Sequence, residues 1–569
     1  MSDQPDSTAQ LPLPSDGIDL CWQTDTGPAT KRLVHRILRR ELTPAIATRL
    51  IQTKGANPDA LVGFREKASG VHRRTKWVPL LSLAIDDPTG SVPSVWRMDS
   101  DLKTPLLLTP WSSRQLQRDI LQALISCGAN VNFHYPDHEL DHEGMRPIRV
   151  ASETGNIDAV EVLLATNQVN HISLPLDGFS PLRPSQAYGD ALIGVARRLL
   201  QHDPSKSGVA VLLAATSRPL LSKAFTYEYM DTLVQHGNPI PAANLRLILR
   251  YAAGITTWSS HWVVDYLCER LATPADISHA QVGVSPPLRG AASQLEELLD
   301  DNDNDNDDGD DMRDETAERI RNRKLMVRSL LRAGADLSTN VLPTNTPLQR
   351  KRRELVLKEY VAVLNELPFV VMDAINAALG PQRDADILMT RILPLVDHND
   401  EDASLPHPPS LSPLSFGPQE AAAIAWKIGA FLHDPPAALT AIDSYLTNAS
   451  AIKRRVRGAV EHFVEWAATK TVSNREVVGG WSRGPDGQMV RVPQLQCFAV
   501  DAGQRHTHRR LGFREVVHRA RLDEVRQHGL EVVKGFNNEE GNDDCQFQWG
   551  RLGYVTGQTG QQWVSLGIN

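Results

Sequence analysis

The chain has 569 residues, 41% of them apolar, and 60 Lys and Arg against 68 Asp and Glu give a net charge of −8. That size and apolar content suit two to four domains with real cores and exclude a wholly disordered chain, while 37 Gly and 37 Pro without a three-residue period exclude collagen. Five cysteines (Cys21, Cys127, Cys268, Cys497 and Cys545) are too few, too scattered and odd in number for a disulfide framework, which points to a reducing, intracellular setting, cytoplasmic or nuclear. Residues 1–29 have neither a basic start nor an apolar stretch of signal-peptide length and read as a disordered tail. No run of about 18 apolar residues occurs, so no membrane span is expected.

In chain order, residues 31–53 read as an N-terminal helix pair. From there a proline followed by an aliphatic residue recurs at Pro79, Pro147, Pro181, Pro219, Pro287 and Pro347, at spacings of 68, 34, 38, 68 and 60. A second anchor recurs near the end of each unit: LIQTKGAN at 50–57, LISCGANVN at 124–132, LLATNQVN at 163–170, LVQHGNPI at 233–240 and LLRAGADL at 330–337. A unit of about 34 residues fits both anchors, with insertions between Asp87 and Trp111 and across the acidic stretch.

Each anchor has a mechanical meaning. Ser180-Pro181 and Thr346-Pro347 place a capping hydroxyl before a proline in the first helical turn. Gly155 and Gly189 are expected to divide pairs of short helices. The pairs Leu163-Leu164, Leu199-Leu200 and Leu330-Leu331 face neighbouring units from the second helix. Gly128, Gly237 and Gly334 follow that helix where a left-handed residue is favoured. Residues 242–271 form another pair, with Trp262, Val263, Tyr266 and Leu267 at helical spacing, and the register between 207 and 237 is ambiguous. Six to eight units result.

The acidic residues are concentrated. Twelve of them lie in EELLDDNDNDNDDGDDMRDE, 296–315, with one basic residue, leaving 59 basic against 56 acidic elsewhere. Segment 296–316 reads as an extended, solvated insert. Beyond Gln349 the period fails. Residues 351–470 are helical, interrupted by a Pro/Ser-rich linker at 403–418, with helices at 420–432 and 452–469. Residues 471–569 read as a small α+β domain: strands at 475–478, 489–492 and 494–500, a helix at 513–528, and a hairpin over 553–566 turning at 557–560.

The best-formed unit, GMRPIRVASETGNIDAVEVLLATNQVN (144–170), resembles an ankyrin repeat at Gly144, Pro147, Ala151, Gly155, Val160, Leu163 and Leu164. The resemblance covers about residues 30–350. It departs from the family where histidine follows Pro-Leu, since Leu81, Arg149, Arg183, Leu221, Arg289 and Gln349 stand there, and Arg146 and Arg218 replace the threonine before proline. The fold class implied is mainly α: an ankyrin-type helical solenoid, then a helical segment and the small α+β domain. The implied function is a non-enzymatic scaffold binding a partner protein through the concave face of the stack, without cofactor. Phe133 and Tyr135 in an inter-repeat tip, and Glu153, Thr154 and Tyr188 at exposed ends of first helices, are the partner-binding candidates. The alternatives are a repeat domain recruiting substrate to a catalytic C-terminal domain, and a substrate adaptor in ubiquitin transfer.

Three motifs are weighed against these readings. His138-Glu139-Leu140-Asp141-His142 spells the zinc-peptidase signature, yet Pro136 and Gly144 confine it, so no long helix can present both histidines; it reads as an inter-repeat loop. Gly480-Trp481-Ser482-Arg483-Gly484 matches a nucleophile elbow, but Pro485-Asp486-Gly487 turns the chain where a helix is required. His506, His508, His518 and His528 with Cys497 and Cys545 lack the spacing of a structural metal site. The basic clusters 350–353, 453–457 and 505–510 have no interleaved aromatics and read as solvated faces, so nucleic acid is not the expected partner.

Overall fold

The structure is a computed structural model. It describes residues 18–66, 75–91, 108–133, 145–172, 174–175, 185–207, 222–239, 241–254, 261–271, 277, 285–304, 310–393, 418–446, 451–474, 477, 480–483, 489–492, 495–501, 508–532, 547–556 and 562–568. The fold is mainly helical with small antiparallel sheets. The chain forms two compact units, 1–272 with 279–326, and 273–278 with 327–569.

The first unit opens with a sheet that the repeat pattern does not anticipate. Strand β1 (Ile18–Trp22) lies inside the stretch expected to be a tail. It pairs antiparallel with β2 (Leu61–Glu66), which pairs with β3 (Lys76–Pro79). Leu61, Val62, Phe64 and Val78 are buried, and this burial of β-branched and aromatic side chains stabilises so short a sheet. Helix α1 (Pro28–Leu38) carries proline in its first turn and buries Leu33, Val34, Ile37 and Leu38 at helical spacing. It ends at Arg40, whose φ of 56° is left-handed. Thr43 caps α2 (Pro44–Thr48), which continues into a π-helical turn, Arg49–Thr53, completing the expected N-terminal pair.

Next come α3 (Leu80–Leu83), α4 (Arg114–Ser126), α5 (Pro147–Glu153) and α6 (Ile157–Leu164). Packing follows sequence order: α2 against α4, α4 against α6, α3 against α5 and α6 against α7 (Gln186–His202). Gly155 divides α5 from α6 as expected, with φ 67° and a Cβ position only 2.8 Å from the Ala191 Cβ, so both conformation and space require glycine. Gly189 does not divide a pair. Helix α7 runs through it for 17 residues, because the apolar face of Leu192, Ile193, Val195, Ala196, Leu199 and Leu200 outweighs the roughly 1 kcal/mol that an interior glycine costs.

The second anchor has a recurring geometry. Gly55, Gly128 and Gly334 have φ of 67°, 99° and 90°. After the latter two, the alanine N–H reaches back to the helix, Ala129 to the Leu124 carbonyl and Ala335 to that of Leu330, each at 3.0 Å, a Schellman-type stop. The following Asx accepts an N–H two residues on: Asn57 from Asp59 (3.0 Å), Asn130 from Asn132 (2.9 Å) and Asp336 from Ser338 (2.8 Å). Consecutive stops are also laced together. Asn130 N–H donates to Asp59 Oδ1 (2.7 Å), Asn132 Nδ2 donates to the Gln168 carbonyl (2.6 Å), and Asn170 N–H donates to Asn132 Oδ1 (3.0 Å). Gly237 departs from the pattern: its φ is −97°, so no left-handed stop forms there.

Helices α8 (Lys223–His236), α9 (Ala242–Gly254), α10 (His261–Tyr266, with a π-helical turn Leu267–Leu271) and α11 (Pro287–Asn304) follow. Val263, Tyr266 and Leu267 are buried, as their spacing predicts, and Trp262 is half-buried. At the α9–α11 contact a Cβ on Gly254 would lie 2.9 Å from the Gly290 Cα, so the two backbones touch. The acidic stretch is a correction. Helix α11 continues to Asn304 and α12 (Asp310–Arg332) begins at Asp310, leaving only 305–309 outside the described residues. Leu288, Ala291, Ala292, Leu295 and Leu298 form a buried stripe that carries the helix into the acidic run.

The second unit begins with the last turns of α12 and with α13 (Pro347–Ala378), a 32-residue helix. Thr346 and Gln349 form a reciprocal capping box at its start, with Pro347 in the first turn. Arg328 pairs with Glu359 (2.6 Å) and Arg332 with Glu366 (2.6 Å). Helices α14 (Gly380–Ile392) and α15 (Pro418–Gly429) pack together, while α16 (Pro435–Tyr445) and α17 (Ala451–Lys470) pack on α13. Trp426 is fully buried and donates its indole N–H to Thr471 Oγ1 (2.9 Å), while Gln382 Nε2 donates to the Trp426 (3.4 Å) and Ala468 (3.3 Å) carbonyls. Several large apolar side chains of these helices face outward, with Phe431 89% and Phe369 70% exposed, alongside Ile387, Leu388, Ile392 and Leu432.

Toward the C-terminus, β4 (Gly480–Arg483) and β5 (Met489–Val492) form a hairpin. Strands β6 (Phe498–Asp501), β7 (His508–Leu511), β8 (Leu552–Thr556) and β9 (Gln562–Ser565) form an antiparallel sheet in the order β7-β6-β8-β9, and α18 (Phe513–His528) packs on α17. The strand expected at 494–500 starts later, at Phe498, and of that expected at 475–478 only Val477 lies within the described residues. His462 on α17 is buried against Trp466, Phe498 and Tyr554, its Nε2 3.1 Å from the Cys497 carbonyl.

Burial holds the His462 pKa below its ordinary value, against the smaller opposing pull of that carbonyl and of Glu465. The unfolded chain therefore takes up a proton near pH 6.5 that the folded chain refuses, and stability falls as pH drops below that value. Urea titrations at pH 7.5 and 5.5 are expected to show the loss. His462→Gln reduces its slope by up to about 1.4 kcal/mol per pH unit; an unchanged slope refutes the assignment.

Candidate functional site

A cleft of about 470 Å3 in the first unit is built where the loop after α3 meets the N-termini of α4 and α6. Its floor is a buried polar network. The Arg40 side chain, projecting from the left-handed end of α1, pairs with Asp86 Oδ1 and donates to the carbonyls of Leu83 (2.8 Å), Ile37 (3.1 Å) and Thr109 (3.1 Å). Its guanidinium lies 4.7 Å from the Trp111 ring centroid. Trp111 donates its backbone N–H to Asp86 Oδ2 (2.5 Å) and its indole N–H to the Ala84 carbonyl (2.9 Å). Asn156 Nδ2 donates to the Asp86 carbonyl (2.8 Å) and to Gln117 Oε1 (2.9 Å), while Asn156 Oδ1 caps α6 through the Ala159 N–H.

Burial drives the Arg40 pKa down and that of Asp86 up from their ordinary values, and the attraction between the two opposes both shifts. Each group is thus tied to the other in the charged state. Above the floor, the cleft is lined by Asp87, Thr89, Pro110, Arg114 and Asp158 among others. Asp87 Oδ1 accepts from the Thr89 N–H and hydroxyl, both at 2.7 Å, and Asp158 Oδ1 accepts from Arg118 (2.8 Å). Acceptor oxygens, one guanidinium, indole and proline thus line the cleft.

The residues expected to bind a partner fall differently. Glu153, Thr154 and Tyr188 are each only 1% exposed, which corrects their expected exposure. The Thr154 hydroxyl donates back to the Val150 carbonyl (2.8 Å), and the Tyr188 hydroxyl donates to the Glu153 carbonyl (2.7 Å), fastening α7 to the end of α5. Burial pushes the Tyr188 pKa far up, so the phenol remains a donor. Tyr188→Phe is expected to lower stability by about 1 kcal/mol, read as a shifted urea midpoint, by removing this buried hydrogen bond. Phe133 is half-buried in the turn after Asn130, and Tyr135 lies outside the described residues.

The His138–His142 motif also lies outside the described residues. Ser482 sits within β4 opposite Val490, in a hairpin and not at a strand-to-helix turn. Cys497 and His518 are buried, His508 is on β7, and His506 and Cys545 lie outside the described residues. Among the described residues no three His, Cys, Asp or Glu side chains are grouped to hold a metal ion, and no helix is long and apolar enough to cross a membrane.

The basic clusters are partly structural. Arg353 donates to the Leu337 carbonyl (2.7 Å) and Arg350 to that of Thr344 (3.3 Å). Arg457 pairs with Asp443 (2.6 Å) and Glu461 (2.7 Å), and Arg455 lies over Trp549. Arg40, Asp86, Trp111, Gln117 and Asn156 are absent from the sequence-based candidates. Asn156 alone carried a local signal, as a capping residue after Gly155; the others meet only through the fold. No family model, curated protein or solved structure matches this chain.

Proposed function

We propose that this chain is a non-enzymatic scaffold that binds a partner protein through a divergent stack of ankyrin-like helix pairs. The observation that carries this reading is the repeated helix stop: Gly-Ala-Asx with the same left-handed glycine and Asx turn at 55–59, 128–132 and 334–338. The lacing of successive stops through Asp59, Asn130, Asn132 and Asn170 supports it, as does the sequential packing of α2, α4 and α6. A unit that contacts chiefly its neighbours builds an extended surface, and such surfaces serve recognition.

The test is affinity capture by the full-length chain after mild cross-linking, quantified against Phe133→Ser, which alters a loop surface. A defined set of proteins lost by the variant, with its melting temperature preserved, is the expected result. Capture that is equal for the two proteins, or no greater than an empty matrix, counts against the reading.

A further inference from the structure

The outer face of α1 is basic along its whole length. Leu33, Val34, Ile37 and Leu38 fix the opposite side of the helix on the first unit, and a turn of about 100° per residue brings Lys31, Arg32, His35, Arg36 and the capping Arg39 together on the solvent side. Arg32, His35 and Arg39 are exposed, and Lys31 and Arg36 are half-buried. The helix contains no Asp or Glu. Among the described residues none of these side chains forms an ion pair, although Asp25 and Glu41 flank the helix in the sequence. Arg328, Arg332 and Arg457 differ, each being matched by a carboxylate. Two further observations mark the concentration of positive charge. Lys31 Nζ lies 5.6 Å from the Trp22 ring centroid, and the Trp22 and His35 rings are 5.6 Å apart. The His35 pKa is held below its ordinary value, first by partial burial and then by Arg39 and Lys31.

Like charges held side by side without counter-ions favour an anionic partner. The basic groups recur once per helical turn, about 6 Å apart, which is close to the spacing of about 7 Å between alternate side chains of an extended peptide. Other polyanions fit this face less well. No large apolar side chain of α1 is exposed to anchor it in a bilayer. Trp22 is already engaged by Lys31 and His35 and is not presented for a base to stack on. A nucleic-acid duplex, with one charge per roughly 1.7 Å, would run beyond the roughly 12 Å from Lys31 to Arg39 and meet a chain of net charge −8.

We propose that the outer face of α1 docks a short acidic segment of a partner protein, with Arg32, Arg36 and Arg39 as counter-ions to its carboxylates. The inference rests on the scaffold reading in taking that segment from a protein, and it adds the chemistry by which the partner is recognised.

The test uses the full chain at low ionic strength and fluorescence anisotropy of labelled probes. An octapeptide alternating aspartate and serine is compared with one alternating asparagine and serine, with a short DNA duplex and with phosphatidylserine vesicles. The acidic peptide is expected to bind at least tenfold more tightly than the uncharged one and to weaken as salt is raised. The triple variant Arg32→Gln, Arg36→Gln, Arg39→Gln is expected to weaken it about tenfold without a lower melting temperature, because these side chains make no ion pairs and glutamine keeps the helix propensity. The double variant Arg197→Gln, Arg198→Gln on α7 is expected to bind like the unaltered protein. Equal binding of the two peptides, binding that survives the triple variant, or an equal loss in the α7 variant overturns the proposal. Tighter binding of the duplex or the vesicles than of the acidic peptide, lost in the triple variant, overturns it in favour of nucleic acid or membrane. The comparison of the two peptides stands on the unaltered protein and does not depend on the variants folding. Acid-selective binding at α1 in a chain that captures no partner supports this inference while refuting the scaffold reading. Partner capture without acid-selective binding does the reverse.

Discussion

Arg40→Met is expected to lower folding stability by about 3–5 kcal/mol, among the largest effects of any single charged-residue change in the first unit. The reason is what it leaves behind. Asp86 is buried and accepts from Trp111, and without Arg40 its charge has no compensating partner in a site that burial already makes unfavourable for it. The carbonyls of Ile37, Leu83 and Thr109 lose the guanidinium's hydrogen bonds at the same time, although that of Ile37 keeps the backbone N–H of residue 40. Asp86→Asn is expected to be similarly damaging, because it strands the guanidinium. The double variant removes both charges, so its loss is expected to fall short of the sum of the singles by about 1–3 kcal/mol. Urea melts of the four proteins form the cycle. Strict additivity would show that the pair contributes no mutual stabilisation.

In the second unit, Trp426→Ala is expected to cost about 3–5 kcal/mol, as is usual for emptying a fully buried aromatic site. Trp426 meets Thr471 through its indole N–H, and its backbone carbonyl accepts from Gln382, so α14, α15 and the end of α17 converge on one residue. Trp426→Phe keeps much of the volume and loses the N–H donor. A substantially smaller loss is expected for it, measured in parallel by denaturant unfolding. Equal losses for the two variants would make the hydrogen bond, not the filled volume, the source of stability.

What could be read from residues alone divides by distance along the chain. Helix α18 falls at 513–528 as its pattern predicts. Its boundaries are local events: Glu515 accepts the Gly512 N–H at the start, and Gly529 takes a left-handed φ of 66° at the end. The α5–Gly155–α6 turn, the Thr346 cap and the β8–β9 hairpin are legible for the same reason. The three-stranded sheet is not, because β1 is separated from β2 by two helices and its pairing is fixed only when Leu61, Val62 and Phe64 find a core. Tyr188 misleads in the same manner. An aromatic near a helix start reads as surface until its hydroxyl is seen to reach Glu153, 35 residues earlier. The cleft is the extreme case, since Arg40 and Asp86 are 46 residues apart and neither belongs to a motif.

The outward-facing Phe369, Ile387, Leu388, Ile392, Phe431 and Leu432 of the second unit have a practical consequence for handling the molecule. Salts excluded from protein surfaces strengthen the drive to hide such groups, so ammonium sulfate should retain this protein on a phenyl resin. The same chemistry makes sulfate-rich or highly concentrated solutions the conditions in which it first falls out of solution.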